Sequence, residues 1–333
     1  LVYTYNGLHD RMMGYNRDIR QNVHVAGVYA QNEWKNKKWS VLIGARLEKH
    51  NLLTKPVCNP RATVRFTPID GLVLRVGYSS GYRAPQAYEE DLHVAAVNGA
   101  VSLISLDPNL RPEYSHSATA SVDWYRRFGK WELNLTGEGF YTYLKDVFFL
   151  REDGHDDEGN LLLTRTNAQG AWVGGINFEA RFAYTTLLSF QLGYTWQQSR
   201  YVVPLQWSPT VAPQTHMLRT PDHYAYVLLD IKPVKDFTIS VNGKITGPML
   251  VPHLQGCIAQ DEEVKTPTFW DFGLRLAYDI HIYKHYCLEV SAGVKNILDQ
   301  FQRDLDKGPN RDANYIYGPT QARTYFVGVS LKL

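Results

Sequence analysis

Leu72-Val-Leu-Arg-Val-Gly-Tyr-Ser-Ser80 and Ser117-Ala-Thr-Ala-Ser-Val-Asp-Trp124 bracket the stretch that decides the fold. In the second run Ala118, Ala120, Val122 and Trp124 alternate with Ser117, Thr119, Ser121 and Asp123. Successive side chains of a strand point to opposite faces, so this alternation marks a strand with one apolar and one polar face. Between the runs lie Gly81-Tyr-Arg-Ala-Pro85, a polar excursion holding Glu89-Glu-Asp-Leu-His93, and Asp107-Pro-Asn-Leu-Arg-Pro-Glu113. The unit reads as two long antiparallel strands joined by an outsized loop.

The rest of the chain repeats that design. Residues 19–35 form a first strand, a tight turn follows at Asn36-Lys37-Lys38, and Trp39, Val41, Ile43, Ala45 and Leu47 then share one face. A looser segment, 50–59, precedes a strand at 61–67, and Pro68-Ile-Asp-Gly71 has the residues of a turn. Further strands are expected at 131–150, 161–184 (with Gly170, Gly174 and Gly175 suggesting a bulge), 188–201, 223–232, 237–250, 268–279, 286–296 and 322–333. The total is about thirteen strands, with no helical periodicity.

Loop lengths decide the architecture. Short connections fall near residues 36, 69, 129, 186, 234 and 282, and long ones at 50–59, 84–111, 151–160, 202–221, 251–267 and 297–321. They alternate strictly. An up-and-down barrel in an outer membrane has this asymmetry, with short periplasmic turns and long surface loops, whereas a soluble sandwich scatters loop lengths over both ends. Many strands also exceed the roughly 9 to 11 residues that cross a bilayer. The expectation is an all-β, antiparallel transmembrane barrel.

Composition agrees. The 35 basic and 33 acidic residues nearly cancel, which gives no electrostatic case for nucleic acid. The 22 tyrosines and 13% aromatics suit strands and interfacial belts. No apolar run approaches the roughly 18 residues of a membrane helix, but a barrel needs apolar side chains only at alternate positions. Cys58, Cys257 and Cys287 are an odd set without metal-ligand spacing. Residues 1–18 are expected at the long-loop end and the C-terminus at the short-turn end. A bacterial barrel normally has an even strand count with both ends periplasmic, so the chain is expected to be the carboxyl-terminal part of a larger barrel, beginning in a surface loop. Its first strand, 19–35, and its last would then pair with a separate amino-terminal half.

Gly81-Tyr-Arg-Ala-Pro85, Asp107-Pro-Asn-Leu110 with Arg111-Pro-Glu113, Gly247-Pro-Met-Leu-Val-Pro-His253, Lys295-Asn-Ile-Leu298, and the ending Tyr315-Ile-Tyr-Gly-Pro319 with Ala322-Arg-Thr-Tyr-Phe-Val-Gly328 resemble the TonB-dependent outer-membrane receptors, particularly those of Bacteroidetes type. The resemblance covers nearly the whole chain from about residue 19 onward. It implies a barrel of about twenty-two strands behind an N-terminal plug, in the outer membrane of a Gram-negative bacterium. It also implies active uptake of a scarce, bulky metal chelate such as a siderophore, haem or cobalamin, powered by the inner-membrane TonB complex. A surface lipoprotein on the loops is a further partner of such receptors. The alternative is a passive porin or surface-binding barrel, and no cluster of residues suggests an enzyme.

Candidate ligand contacts are Tyr82, Arg83, Tyr88, His93, Trp207 and His253, in loop 83–111 and its neighbours 202–221 and 251–267. The resemblance offers His93 as a haem ligand, since it lies between boxes that haem receptors share and imidazole binds haem iron well; a solvated loop histidine is the plainer reading. Met12, Met13, Met217 and Met249 lie near His9, His216 and His253, a thioether and imidazole set that suits copper or haem iron, or simply fills apolar gaps. Asp304–Asp312 and Glu152–Glu158 are acidic enough for Ca2+, though neither has EF-hand spacing. Gly77-Tyr-Ser-Ser-Gly81 matches a hydrolase elbow but lacks the following helix. Within the barrel, Glu132, Asn134, Thr136 and Glu138, and Thr238, Ser240, Asn242, Lys244 and Thr246, are expected to face a hydrated lumen.

Overall fold

Asn36 closes the first tight turn, its side-chain oxygen accepting from the backbone N–H groups of Lys38 (2.9 Å) and Trp39 (2.8 Å). In the 68–71 turn Gly71 has φ +80°, and a Cβ there would lie 2.3 Å from the Tyr125 carbonyl, so only glycine fits. Turns of this kind join long strands in a computed structural model that describes residues 1–13, 17–85, 102–157, 159–283 and 286–332.

The chain begins with β1 (Val2–Met12), β2 (Arg17–Lys35), β3 (Trp39–His50), β4 (Val57–Ile69) and β5 (Leu72–Arg83). The long excursion holds β6 (Ser102–Leu106), and the sheet resumes with β7 (Glu113–Phe128) and β8 (Trp131–Lys145). A second excursion makes β9 (Phe148–His155) and β10 (Leu161–Asn167), before β11 (Gly170–Tyr184) and β12 (Leu188–Leu205). β13 (Gln214–His216) folds back on β12 and precedes β14 (His223–Val234) and β15 (Phe237–Thr246). β16 (Leu250–His253) and β17 (Glu262–Lys265) form a separate hairpin, and β18 (Phe269–Tyr283), β19 (Tyr286–Lys295) and β20 (Thr324–Lys332) finish the sheet.

The main sheet runs β1-β2-β3-β4-β5-β7-β8-β11-β12-β14-β15-β18-β19-β20, antiparallel throughout. The path has fourteen strands among the described residues, because Val2–Met12, expected within a surface segment, is itself a strand of the sheet. Val2–Met12 pairs with β2 continuously from Val2↔Gly27 to Met12↔Arg17. The odd count behind the parity argument therefore falls. Openness rests on a different fact: among the described residues β1 and β20 do not pair with each other, so the barrel is not closed. The strand expected to be an edge, β2, lies between β1 and β3, with both neighbours over residues 25–27, β1 alone along 17–24 and β3 alone along 28–35.

Two further expectations change. The strand expected at 161–184 is two strands, β10 and β11, and the glycines make no bulge, since β11 pairs in unbroken register with β8 and β12. The strand expected to reach residue 150 leaves the sheet after Lys145, where Asp146 adopts φ 56°.

Register sorts the side chains. On the outer face Trp39 stacks on Phe66 at 4.1 Å and Trp131 on Phe182 at 4.8 Å, near the short turns, forming part of an aromatic girdle. Ile43, Val76, Val327 and Val329 lie exposed in the apolar band between the ends. On the inner face Asp123 accepts from Asn134 and Thr136, Glu138 from Asn177, and Glu179 from Tyr226. Phe326 breaks the polar row of β20 for a local reason. Its ring lies over Gly293, where a Cβ would meet it at 2.6 Å.

Candidate functional site

The excursions from the long-loop end of the sheet gather into a lobe. Asp146 turns the chain outward, and Val147 is buried with Ala168 and Ala171 beneath the lobe. Asn167 pins the exit: its side-chain nitrogen donates to the carbonyls of Asp146 (2.7 Å) and Arg111 (3.0 Å), and its oxygen accepts from Arg111 N–H (2.8 Å). Arg111 also pairs with the Asp146 carboxylate at 2.8 Å. Above this clamp β9 and β10 form a hairpin, and β6, from the loop after β5, adds to β10 in parallel.

A second wall comes from the β16–β17 hairpin and residues 297–321. Gln302 is 2% exposed; its amide donates to the Tyr315 carbonyl (3.0 Å) and accepts from Tyr317 N–H (2.8 Å). The hydroxyls of Tyr315 (2.9 Å) and Tyr317 (2.6 Å) both donate to Asp304. Burial pushes the Asp304 carboxyl up, but these hydroxyls outweigh it and hold the group below its ordinary value. Burial and the Asp304 charge push Tyr317 up to about 12 and raise Tyr315 as well. His253 stacks on Tyr315 with ring centroids 3.7 Å apart and planes 6° from parallel, and shares a hydrogen bond with Asp306 at 3.0 Å. Arg219, held at φ 59°, donates to the carbonyls of Asn314 (2.6 Å) and Ile316 (3.1 Å) and ties this wall to loop 202–221.

Between the walls lies a cavity of about 610 Å³. Ile104, Leu150, Leu161, Leu163, Leu218 and Leu254 make most of its lining, with Trp207 and Pro252, and Glu152, Arg219, Asp312 and Asn314 supply polar groups. Trp207 is fixed by its indole N–H, which donates to Glu263 at 2.9 Å. Burial, reinforced by the charge of Asp261, pushes the Glu152 carboxyl up, so that it keeps a proton at a pH where a solvated glutamate has lost it. A concave, mainly apolar volume with a few fixed polar groups is the usual form of a small-molecule site.

The expected loops 83–111, 202–221 and 251–267 do meet here, through Ile104, Trp207 and Pro252. The candidate residues divide. Trp207 lines the cavity, and His253 braces the wall beside Pro252 and Leu254. Tyr82 packs elsewhere, against the small cluster of Leu53, Val57 and Ala84, and Arg83 lies over the Phe148 ring at 5.0 Å. Tyr88 and His93 fall outside the described residues. Met217, Met249 and His216 do come together, with His223, around a separate cavity of about 320 Å³, but Arg200 and Lys265 line it too, which disfavours a cation. Among the described residues no three His, Cys, Asp or Glu side chains converge as metal ligands. In the acidic stretch at 304–312, Asp304, Asp306 and Asp312 accept hydrogen bonds from tyrosine hydroxyls, His253 and backbone amides.

Sequence reasoning missed Leu150, which read as the end of one barrel strand, Leu161 and Leu163, which read as the start of the next, and the Gln302–Asp304–Tyr315 network. The apolar triplets on either side of the acidic segment were the available signal for a hairpin standing outside the sheet.

Residues 3–297 match the family model described as TonB dependent receptor-like, beta-barrel. The chain is a TonB-dependent receptor barrel. The family lies in the outer membrane of Gram-negative bacteria, with the aromatic girdle at the lipid boundary. The receptor chain matches the siderophore receptor PirA from Acinetobacter baumannii with a TM-score of 0.67 and 15% identity, over 93% of this chain and 46% of that one. It matches the ferric-catecholate import receptor Fiu from E. coli K12 with a TM-score of 0.66 and 15% identity, over 93% of this chain and 45% of that one. The ferric enterobactin receptor PfeA from Pseudomonas aeruginosa gives 0.66 and 14%, over 95% and 46%. The receptor chain thus spans about half the length of these solved structures. No curated protein matches it.

Proposed function

We propose that this chain is the carboxyl-terminal part of the barrel of an active transporter, which takes up a bulky metal chelate through the loop cavity and depends on TonB. The carrying observation is the cavity of about 610 Å³, walled by excursions from the long-loop end, over a sheet whose inner face is polar. A chelate enters from that end, where Leu150, Leu163 and Trp207 offer apolar surface and Arg219 and Asn314 offer polar groups. The neighbouring structures are named as siderophore and ferric-catecholate receptors, which favours an iron chelate over haem or cobalamin as cargo. An open barrel of this size leaks unless its lumen is filled, so the reading includes a plug domain and the remaining strands outside residues 1–333.

The test uses the whole receptor in cells grown on iron chelates. Trp207→Ala should cut chelate uptake about tenfold, as expected when about 1.4 kcal/mol of contact is lost, with unchanged amounts of heat-modifiable barrel. Uptake should also stop when the proton-motive force is collapsed. Transport that survives de-energisation would favour the passive porin instead, and wild-type uptake of every chelate by the Trp207 variant would remove the cavity from the route.

A further inference from the structure

The charges of the inner face are unevenly satisfied. Around β18, β19 and β20, Arg275 pairs with Glu289, and Lys332 bridges Glu289 at 2.8 Å and Asp279 at 2.9 Å. Arg181 pairs with Glu179 at 2.6 Å, and Arg46 with Glu48 at 2.6 Å. The sector formed by β4 and β5 differs. Arg61, Arg65 and Arg75 share the inner face there, in register with Ser79, Ser40 and Ser121 respectively, and Arg65 stands directly opposite Arg75. Like charges placed opposite on neighbouring strands destabilise a sheet. Among the described residues none of these three arginines has an ion-pair partner.

The flanking carboxylates are already committed. Asp123 on β7 accepts from Asn134 at 3.2 Å and Thr136 at 3.1 Å, and Glu33 on β2 accepts from the Ser40 hydroxyl at 2.6 Å. The uncompensated sector therefore calls for negative charge from outside the described sheet. Its depth selects the source. Arg65 and Arg75 lie in the parts of β4 and β5 next to the 68–71 turn, at the end opposite the loop cavity. A chelate held at the loops does not reach them.

We infer that Arg61, Arg65 and Arg75 form the seat for an acidic face of the domain that fills the lumen. The inference rests on the plugged-transporter reading and adds the position and sign of the contact. Guanidinium groups suit this role, since each presents a planar set of donors that matches a carboxylate in two-point fashion. Charge pairs across such a wetted interface fix the register of the docked partner as well as its affinity.

The test takes the full-length receptor with Arg65→Glu and Arg75→Glu together. Heat-modifiability reports barrel assembly, hydrogen exchange reports the lumen-filling domain, and liposome swelling with a small sugar reports leakage. The expected result is about tenfold faster exchange (about 1.4 kcal/mol) in one acidic segment of that domain, with faster swelling. Arg65→Lys with Arg75→Lys should restore most of the protection. Should the reversed pair fail to assemble, Arg65→Gln with Arg75→Gln gives the same readout without added negative charge. Wild-type exchange and swelling in an assembled variant would overturn the seat alone. Reduced chelate uptake with unchanged exchange would also overturn it, assigning the arginines to cargo. A wild-type receptor that already leaks would overturn the plugged reading and the seat with it.

Discussion

His253→Ala tests whether the β16–β17 hairpin is held by its contact with the 297–321 loop. The ring is 6% exposed, lies 3.7 Å from Tyr315 in a parallel stack, and shares one hydrogen bond with Asp306. A stacked aromatic pair contributes about 0.5–1.5 kcal/mol beyond its burial, and a hydrogen bond about 0.5–1.5 kcal/mol net. Asp306 is not orphaned by the change, because Asp312 N–H still donates to the same oxygen at 2.9 Å. No desolvation penalty is therefore added, and the expected loss is about 2 kcal/mol, or about thirtyfold in the local opening equilibrium. Hydrogen exchange should show that loss at Leu254, whose N–H crosses the seam to Asp312 at 3.0 Å, and not in β18 or β19. His253→Phe keeps the stack, so about half the protection should remain. Unchanged exchange at Leu254 in the alanine variant would refute the reasoning and place the hold in Arg219 and Glu263.

The same seam should have defined pH limits. Asp304 is held below the usual carboxylate range, so its contribution is present above the ordinary pKa and is lost as pH falls through the depressed value. Tyr317 is pushed up to about 12, so its contribution is present below the ordinary tyrosine pKa and disappears as pH rises through about 12. A tyrosinate absorbance titration should therefore find Tyr317 late, and in Asp304→Asn it should titrate earlier while staying above an exposed tyrosine, because burial as well as the Asp304 charge raises it. Asn167→Ala removes three hydrogen bonds at the lobe's base and should open β9 and β10 to limited proteolysis by about 2–3 kcal/mol; resistance equal to wild type would count against the clamp. Val329→Arg puts a charge on the lipid-facing row and should cost about 2–4 kcal/mol if it sits near the bilayer midplane, read as a lower temperature for loss of the heat-modified band. Ser330→Arg, on the lumen face, should leave that temperature nearly unchanged.

The sheet was legible because a membrane barrel writes both of its surfaces into each strand. Trp39, Val41, Ile43 and Leu47 against Ser40, Gly44 and Arg46 give the faces directly, and the alternation of short and long loops gives the two ends. The first strand was not legible. Val2-Tyr-Thr-Tyr-Asn-Gly-Leu-His-Asp mixes polar groups onto both faces, and its outward row is Tyr3, Tyr5 and His9, which suit an interface more than the lipid interior. The lobe was only half legible. Ordinary local rules describe β9 and β10 as continuations of their neighbours, because nothing in Phe148 or Leu161 says that a strand has left the sheet. That exit is decided by Asp146 at positive φ and by Asn167 reaching residues far away in sequence. Trp207 was found by residue type alone, and the aliphatic lining of the cavity was not, since leucines carry no chemical signature until folding gathers them.

The parallel pairing of β6 with β10 also sets an order of assembly. Ser102 meets Leu161 and Leu106 meets Arg165, with all of β7, β8 and β9 lying between them in sequence. Hairpins such as β7–β8 close locally, whereas this ladder must wait for a long loop to be fixed by its flanks, and the entropy of closing such a loop delays contacts of high sequence separation. Nascent receptor should therefore acquire its membrane sheet first and its outer lobe last. A chain caught between those steps is already inserted yet has no loop cavity, so the volume between the two walls takes shape only after insertion is complete.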